Sequence, residues 1–392
     1  MSGRFPAGCE VLVLGSTIEA ARSARELLTL GYGVHWASPD GPPADVPSPR
    51  PDLSIYERHT LITLDGHVGA FTATLSDEFG RAIHIEISAV VVATGSGQGP
   101  PPEIGGPAAS PWLLSLSHAE RRLTTDHLRE NSLAYRLTPV ALVLDLGEQT
   151  GKERATAALH LVQRLRRRSH AEIYCFYRDL KVDSPGLERL TRELRRDGVV
   201  FVRYRGPDLP MCEGDEGIVI DGPDGPVHAR PVIVPERVCP RDDTAALAAA
   251  LRVRLGEDGH FQPINVRAYR AGLASRRGIF FAGRCHMDCS LEEAEADAEA
   301  VVAAVDALLG RGYIKSEASP ARVDAEKCIR CLTCVRSCPH AAVEIASYDG
   351  VTAARVAEPA CFGCGICAAH CPVRAIEMVG SALPARLQGD PV

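Results

Sequence analysis

Two cysteine runs near the end of the chain, "CIRCLTCVRSCP" and "CFGCGICAAHCP", restrict its fold more than any other feature. Each reads C-x2-C-x2-C-x3-C-P, with Cys328, Cys331, Cys334 and Cys338 in the first run and Cys361, Cys364, Cys367 and Cys371 in the second. Thiolate sulfur is the soft ligand that cluster iron prefers, and the short spacing lets one looped backbone present three sulfurs to a [4Fe-4S] cubane. In paired runs of this kind the fourth cysteine ligates the other cluster. The spacing therefore predicts one cluster on Cys328, Cys331, Cys334 and Cys371, and a second on Cys338, Cys361, Cys364 and Cys367. Pro339 and Pro372 fix the backbone as it leaves each run, while Leu332, Gly363, Gly365 and Ile366 leave room for amide N–H groups near the sulfurs. Structural zinc is the plainer alternative, but its usual arrangement is pairs of C-x2-4-C knuckles set further apart.

Eight of the 14 cysteines fall in the last 65 of 392 residues, which is a metal pattern and not a disulfide framework. The first residues, "MSGRFPAGCE", hold no apolar signal core, and no apolar run reaches the roughly 18 residues that span a bilayer. A cytoplasmic protein without a membrane span is expected. The formal charge of -7 argues against nucleic acid or an anionic membrane as partner. The basic run Arg164 to Arg168 reads as a solvated helix end.

Upstream the chain is α/β. "VLVLGSTIEAARSARELLTLGYGVHWAS" is a strand, a glycine turn, a helix and a second strand, the opening of a βαβ unit. "HVGAFTATLSD" and "RAIHIEISAVVVATGSG" read as β-rich sequence ending in a buried strand at Val90 to Ala93. After a Pro/Gly cluster, strands at Val140 to Leu146, Glu172 to Tyr177 and Val199 to Tyr204 alternate with helices at Glu153 to Arg167 and Leu187 to Arg196. The first turn of this second unit, "LGEQTGKE", lacks the G-x-G-x-x-G pattern of a nicotinamide nucleotide site. From Val232 the chain is expected to return to the first domain, closing with "GIFFAGRCH" and a helix over Leu291 to Leu309.

"AEIYCFYRDLKVDSPGLERLTRELRRDGVVFVRYRG", "HTLITLDGHVGAFTATLSD", "GIFFAGRCHMDCSLEEAEADAEAVVAAV" and the twin cysteine motif resemble the A-subunit family of heterodisulfide reductases. The resemblance implies a flavoprotein fold of two dinucleotide-binding domains, thioredoxin-reductase-like, followed by a small α+β domain of the bacterial-ferredoxin type. It implies work beside other redox subunits in a cytoplasmic complex. The expected division is 1–105 and 232–312 for the FAD-type domain, 106–231 for the second α/β unit, 313–325 for a linker, 326–380 for the cluster domain and 381–392 for a tail. Family members usually carry further cysteines after the second strand and in the middle unit. Here "SPDGPPADVPSPRPDLSIYE" and "LVLDLGEQTGKERATAALH" have none, so the chain looks like a trimmed relative with only the terminal pair of clusters.

The fingerprint for FAD is incomplete. Gly15 keeps the tight turn and Ala20 permits close helix–strand packing, but Thr17 stands where the second glycine lets a pyrophosphate approach. Glu19 adds a carboxylate to the helix N-terminus, and Ser38 takes the place of the acid that holds ribose. Thr94, Gly95 and Gly283 keep the turns that approach flavin in the family, so FAD stays open. Cys285, His286, Asp288 and Cys289 could form a redox dithiol or metal site, against the simpler reading of buried free thiols. Cys9, Cys175, Cys212 and Cys239 read as core packing, and His160 and His340 as structural. Three functions remain: an electron relay with a degenerate FAD-type domain, a flavin-to-cluster oxidoreductase subunit, or a non-catalytic assembly protein.

Overall fold

The computed structural model describes residues 3–41, 46–100, 110–125, 139–145, 151–206, 209–214, 216–264, 272–316, 319–348 and 350–380. The expected tail, 381–392, and most of the "LGEQTGKE" turn lie outside the described residues. The chain divides into two compact units, residues 1–95, 241–287 and 292–392 in one and residues 96–240 and 288–291 in the other.

In the first unit a five-stranded parallel sheet runs in the order Ile279–Phe281, Ala89–Val92, Glu10–Leu14, Gly33–Ser38, Leu53–Glu57. Val11, Leu12, Val13 and Val90 to Val92 are fully buried, as expected of parallel strands covered on both faces. The Ile18–Thr29 helix turns Ala20, Ala24 and Leu27 inward, and the Leu291–Leu309 helix buries Ala294, Ala298, Val301 and Val305. An antiparallel meander, Thr60–His67, Ala70–Ser76 and Ala82–Ile87, leads into the Ala89–Val92 strand, which returns beside the first one.

The second unit repeats this plan. Its parallel sheet runs Leu113–Ser115, Val232–Val234, Val140–Val143, Ile173–Tyr177, Val200–Arg203, with the helices Lys152–Arg168 and Leu187–Arg196 in the crossovers. A meander of Met211–Gly214, Gly217–Gly222 and Gly225–Ala229 precedes Val232–Val234, which lies between Leu113–Ser115 and Val140–Val143. Two α/β units that share this parallel core and the same meander are the two-dinucleotide-domain architecture; they differ in the edge strand, which comes last in the first unit, at Ile279–Phe281, and first in the second, at Leu113–Ser115. The expected return at Val232 needs correction. Val232–Val234 completes the second sheet, and the chain re-enters the first unit at Arg241. A three-residue apolar strand suits either sheet, so only its pairing partner tells them apart.

The cysteine runs lie in the first unit, in a small α+β domain. Ala321–Val323 pairs antiparallel with Ile376–Met378, a hairpin joins Val343–Tyr348 to Val351–Val356, and two short helices, Thr333–Ser337 and Ile366–Ala369, follow the ligand loops. The segment expected as a linker is in sheet at both ends, because Tyr313–Lys315 also pairs with Arg4–Pro6. Arg277 Nη1 donates to Pro359 O at 2.9 Å, and His340 Nδ1 lies 2.7 Å from Ser275 O. These bonds fasten the cluster domain to the α/β part of its own unit. Among the described residues no helix is long and apolar enough to cross a membrane.

Candidate functional site

The two cysteine runs fold as copies of each other. Backbone φ is positive at Arg330 and Leu332 in the first loop and at Gly363 and Gly365, the matching positions, in the second. It is positive again at Ala341 and Arg374, each three residues past the fourth cysteine. Left-handed turns there wrap the chain around the space between the sulfurs. A side chain at Gly363 would also approach Ser319 O to 2.9 Å, so this position needs glycine twice over. The first loop holds Arg330 and Leu332 in the same conformation at a cost of about 1 kcal/mol or more each.

Cys328, Cys331, Cys334 and Cys371 line one pocket, walled by apolar side chains such as Ile345 and Ile376. Cys371 comes from the opposite run. Cys367 has Cys338, Cys361 and Cys364 as its electrostatic neighbours. Burial pushes the Cys367 thiol up to about 11, and the three neighbouring cysteines push the same way. Burial raises Cys334 too, with Cys328 and Cys331 adding to it, whereas the Thr333 hydroxyl and amide lower Cys331. Burial that disfavours the thiolate in this way is offset only when a cationic centre binds the sulfurs.

Backbone amides already point at the sulfurs. Ala342 N–H donates to Cys338 Sγ at 3.4 Å, Ala354 N–H to Cys328 Sγ at 3.4 Å and Ala375 N–H to Cys371 Sγ at 3.2 Å. Among the described residues no three His, Cys, Asp or Glu side chains converge as ligands of a single ion. Three cysteines of one run and one of the other round a single pocket are the ligand set that paired cluster runs use. The donor set thus fits two [4Fe-4S] clusters.

The dinucleotide turn is different. Gly15 has φ +123°, and a Cβ there would run into Ala93 O. The turn is further held by Trp36 Nε1–H, which donates to Gly15 O at 2.6 Å. Thr17 caps the following helix, accepting from Ala20 N–H at 3.4 Å and donating to Ala93 O at 2.8 Å. Its methyl stands 2.8 Å from where a Cβ on Gly95 would be. Glu19 is fully buried, with Cγ 2.5 Å from the Cβ position of Gly283. Its carboxylate accepts from Arg284 Nε–H at 2.8 Å and from Arg284 N–H at 3.5 Å. Burial pushes the Glu19 carboxyl up, but the Arg284 hydrogen bond and charge outweigh it and leave the group below its usual range. Ala20 is buried, as is Thr94, and Ser38 Oγ accepts from Asp40 N–H at 3.3 Å. Thr17 and Glu19 therefore fill the space over Gly95 and Gly283, and the diphosphate of FAD does not fit this arrangement.

The weaker candidates separate. Cys285 is buried, its thiol pushed up chiefly by burial and bonded to Val92 O and Ala282 O. Cys289 is buried, His286 Nε2 lies 2.9 Å from Asp297 Oδ2, and Asp288 accepts from Lys152 N–H. Among the described residues no three His, Cys, Asp or Glu side chains of this segment gather as metal ligands. Cys175 is in the core and Cys239 is half-buried. Cys9 and Cys212 are exposed, against the expectation of core packing, because Cys9 precedes the Glu10–Leu14 strand and Cys212 sits on the edge strand of its meander. His340 is structural, and His160 is exposed on its helix. Arg166 and Arg168 donate to Ala171 O and Leu123 O, so part of the basic run satisfies carbonyls near the helix end. Sequence reading missed Arg284 and Asp297. The signal available for Arg284 was that a carboxylate at Glu19, inside an apolar helix face, needs a cation.

A 4Fe-4S dicluster domain model matches residues 321–378. An iron-sulfur subunit of CoB–CoM heterodisulfide reductase from Methanopyrus kandleri, the second of its A type, is 29% identical over 201 residues, 49% of this chain and 30% of that protein. A protein from Archaeoglobus profundus, described as like the A-type subunit of heterodisulfide reductase, is 28% identical over 184 residues, 45% of this chain and 26% of that protein. The chain spans 30% or less of the length of these relatives. Among solved structures, T. acidophilum thioredoxin reductase is similar with a TM-score of 0.49 and 10% identity, covering 76% of this chain and 98% of that one. A pyridine nucleotide-disulfide family oxidoreductase from Enterococcus faecalis V583 has a TM-score of 0.48 and 14% identity, covering 76% and 68%. The chain is thus a relative of the A-type subunits of heterodisulfide reductase over about half its length, and it ends in a 4Fe-4S dicluster domain.

Proposed function

We propose that this chain is an electron-relay subunit of a heterodisulfide-reductase-like complex in the cytoplasm, passing single electrons to and from other redox subunits. Two [4Fe-4S] clusters, when bound, supply the one-electron chemistry. Cys328, Cys331, Cys334 and Cys371 hold one, and Cys338, Cys361, Cys364 and Cys367 hold the other. The single observation that carries this reading is the crossing of the fourth cysteine, Cys371 lining the cavity of the first run.

The chain's own groups tune the site. Amide donors from Ala342, Ala354 and Ala375 disperse negative charge on the ligand sulfurs, which favours the reduced state and raises the potential. Apolar walls at Ile345 and Ile376 keep water off the sulfurs and act the other way. The α/β part of the unit supports the cluster domain through Arg277 and His340.

Anaerobic purification followed by iron and sulfide analysis tests the reading. About eight irons and eight sulfides per chain are expected, with paramagnetic resonance of two interacting clusters after reduction. One or two zinc ions per chain and no sulfide would overturn it.

A further inference from the structure

Beyond the relay, we propose that this chain has replaced bound nucleotides by its own carboxylates: Glu19 in the first unit and Asp288 in the second occupy the anion positions of the two dinucleotide-type folds. The anion position is the N-terminus of the helix that follows the central strand, Ile18–Thr29 after Glu10–Leu14 and Lys152–Arg168 after Val140–Val143, where backbone N–H groups and the helix dipole favour negative charge. In the first unit that place holds the Glu19 carboxylate, which is fully buried and paired with Arg284. Thr17 closes the rest of the approach through its bonds to Ala20 N–H and Ala93 O.

The second unit reaches the same result with different residues. Asp288 Oδ1 accepts from the N–H of Lys152, the first residue of the Lys152–Arg168 helix, at 2.9 Å. A Cβ on the capping residue Gly151 would lie 3.2 Å from that same oxygen, so the carboxylate stands directly against the cap. Asp288 Oδ2 accepts from Lys181 Nζ at 3.0 Å, and Lys152 Nζ pairs with Asp183 Oδ2 at 2.8 Å. Both lysines that could meet a phosphate are engaged with carboxylates of the same unit.

Two independent helix ends closed in this way explain how the fold keeps its charge balance without bound nucleotides. Each carboxylate supplies the negative charge that a diphosphate supplies elsewhere, and each is matched by a basic side chain, Arg284 or Lys181. The chain then exchanges electrons only with other proteins, never with FAD or a nicotinamide nucleotide.

Calorimetric titration of the anaerobic full-length protein with FAD, and separately with NADH, tests this. No saturable binding is expected up to about 1 mM, whereas saturable binding of either nucleotide below about 100 μM would overturn the proposal. In a second arm Glu19→Ala and Asp288→Ala are titrated with inorganic pyrophosphate, with Glu19→Gln and Asp288→Asn as variants that keep the volume and lose only the charge. A gain of about tenfold or more over the unsubstituted protein is expected in at least one variant of each unit. Unchanged pyrophosphate affinity throughout a unit would overturn the assignment there. Iron content measured on the same samples reports on the cluster reading separately.

Discussion

The Arg284 guanidinium donates to Glu19 at 2.8 Å across 265 residues of sequence, and the two partners are unequally buried. The Glu19 side chain is fully enclosed, while that of Arg284 keeps a fifth of its surface in water. Removing one partner is therefore not equivalent to removing the other. Arg284→Ala leaves a buried carboxylate without its cation, which costs about 3–5 kcal/mol. Glu19→Ala leaves an arginine that can turn to solvent, and its cost is smaller by about half. Urea unfolding of the two variants under identical conditions checks the order.

The same pair has a pH signature. With Arg284 beside it the Glu19 carboxyl lies below its ordinary value of 4.5 in the folded protein, despite burial pushing it the other way. Its contribution is fully present above that ordinary value and is lost as pH falls through the folded value. The stability difference between the unsubstituted protein and Glu19→Gln is thus expected to hold from pH 7 to about 5 and to shrink below it. Melting curves at a series of pH values read that difference. A gap that stays constant down to about pH 3 would show that the charge of Glu19 does not contribute.

Cysteine variants should pair across the two runs, not within them. Cys371→Ser is expected to match Cys334→Ser in cluster content and paramagnetic signal, and Cys338→Ser to match Cys367→Ser. Each loses about half of the iron or converts one cluster to a three-iron form, and the other cluster keeps its signal. If Cys371→Ser instead resembled Cys367→Ser, each run would hold its own cluster.

Arg276 is a structural counterpart to Glu19. It is almost wholly buried, donates from Nη1 to Leu64 O and Leu251 O and from Nη2 to Gly66 O, and lies over the Phe71 ring. Arg276→Met keeps most of the volume and strands three carbonyls, for a loss of at least about 3 kcal/mol. The midpoint of chemical unfolding measures it, and a change below about 1 kcal/mol would mean that water reaches those carbonyls.

The longer helices and the central parallel strands of both sheets were legible from the order of residues, since strands covered on both faces are unbroken apolar runs and helices bury one periodic stripe; the helices Leu116–Thr125 and Thr244–Leu251 and the edge strands Leu53–Glu57 and Leu113–Ser115 were not. The helix at Leu187–Arg196 and the long one at Leu291–Leu309 lie where their patterns end. Short strands were less legible. Val232–Val234 has only three apolar residues, which suit any parallel sheet, so its assignment to the second unit follows from pairing with Val140–Val143.

The cluster motif was legible for a related reason. Ligands three residues apart on one loop meet by local geometry alone, so the spacing of the cysteines in each run already states the chemistry. The opening glycine turn was half legible. Gly15 is dictated by its positive φ, a local property, and Thr17 and Glu19 were visibly out of pattern. What those two residues do instead depends on partners far away in the chain. Arg284 for Glu19, Lys181 for Asp288 and Cys371 for the first cysteine run are brought in by strand order and loop closure. Charges and sulfur ligands act over a few ångströms of space whatever their separation in sequence, so pairings like these exist only once the chain is folded.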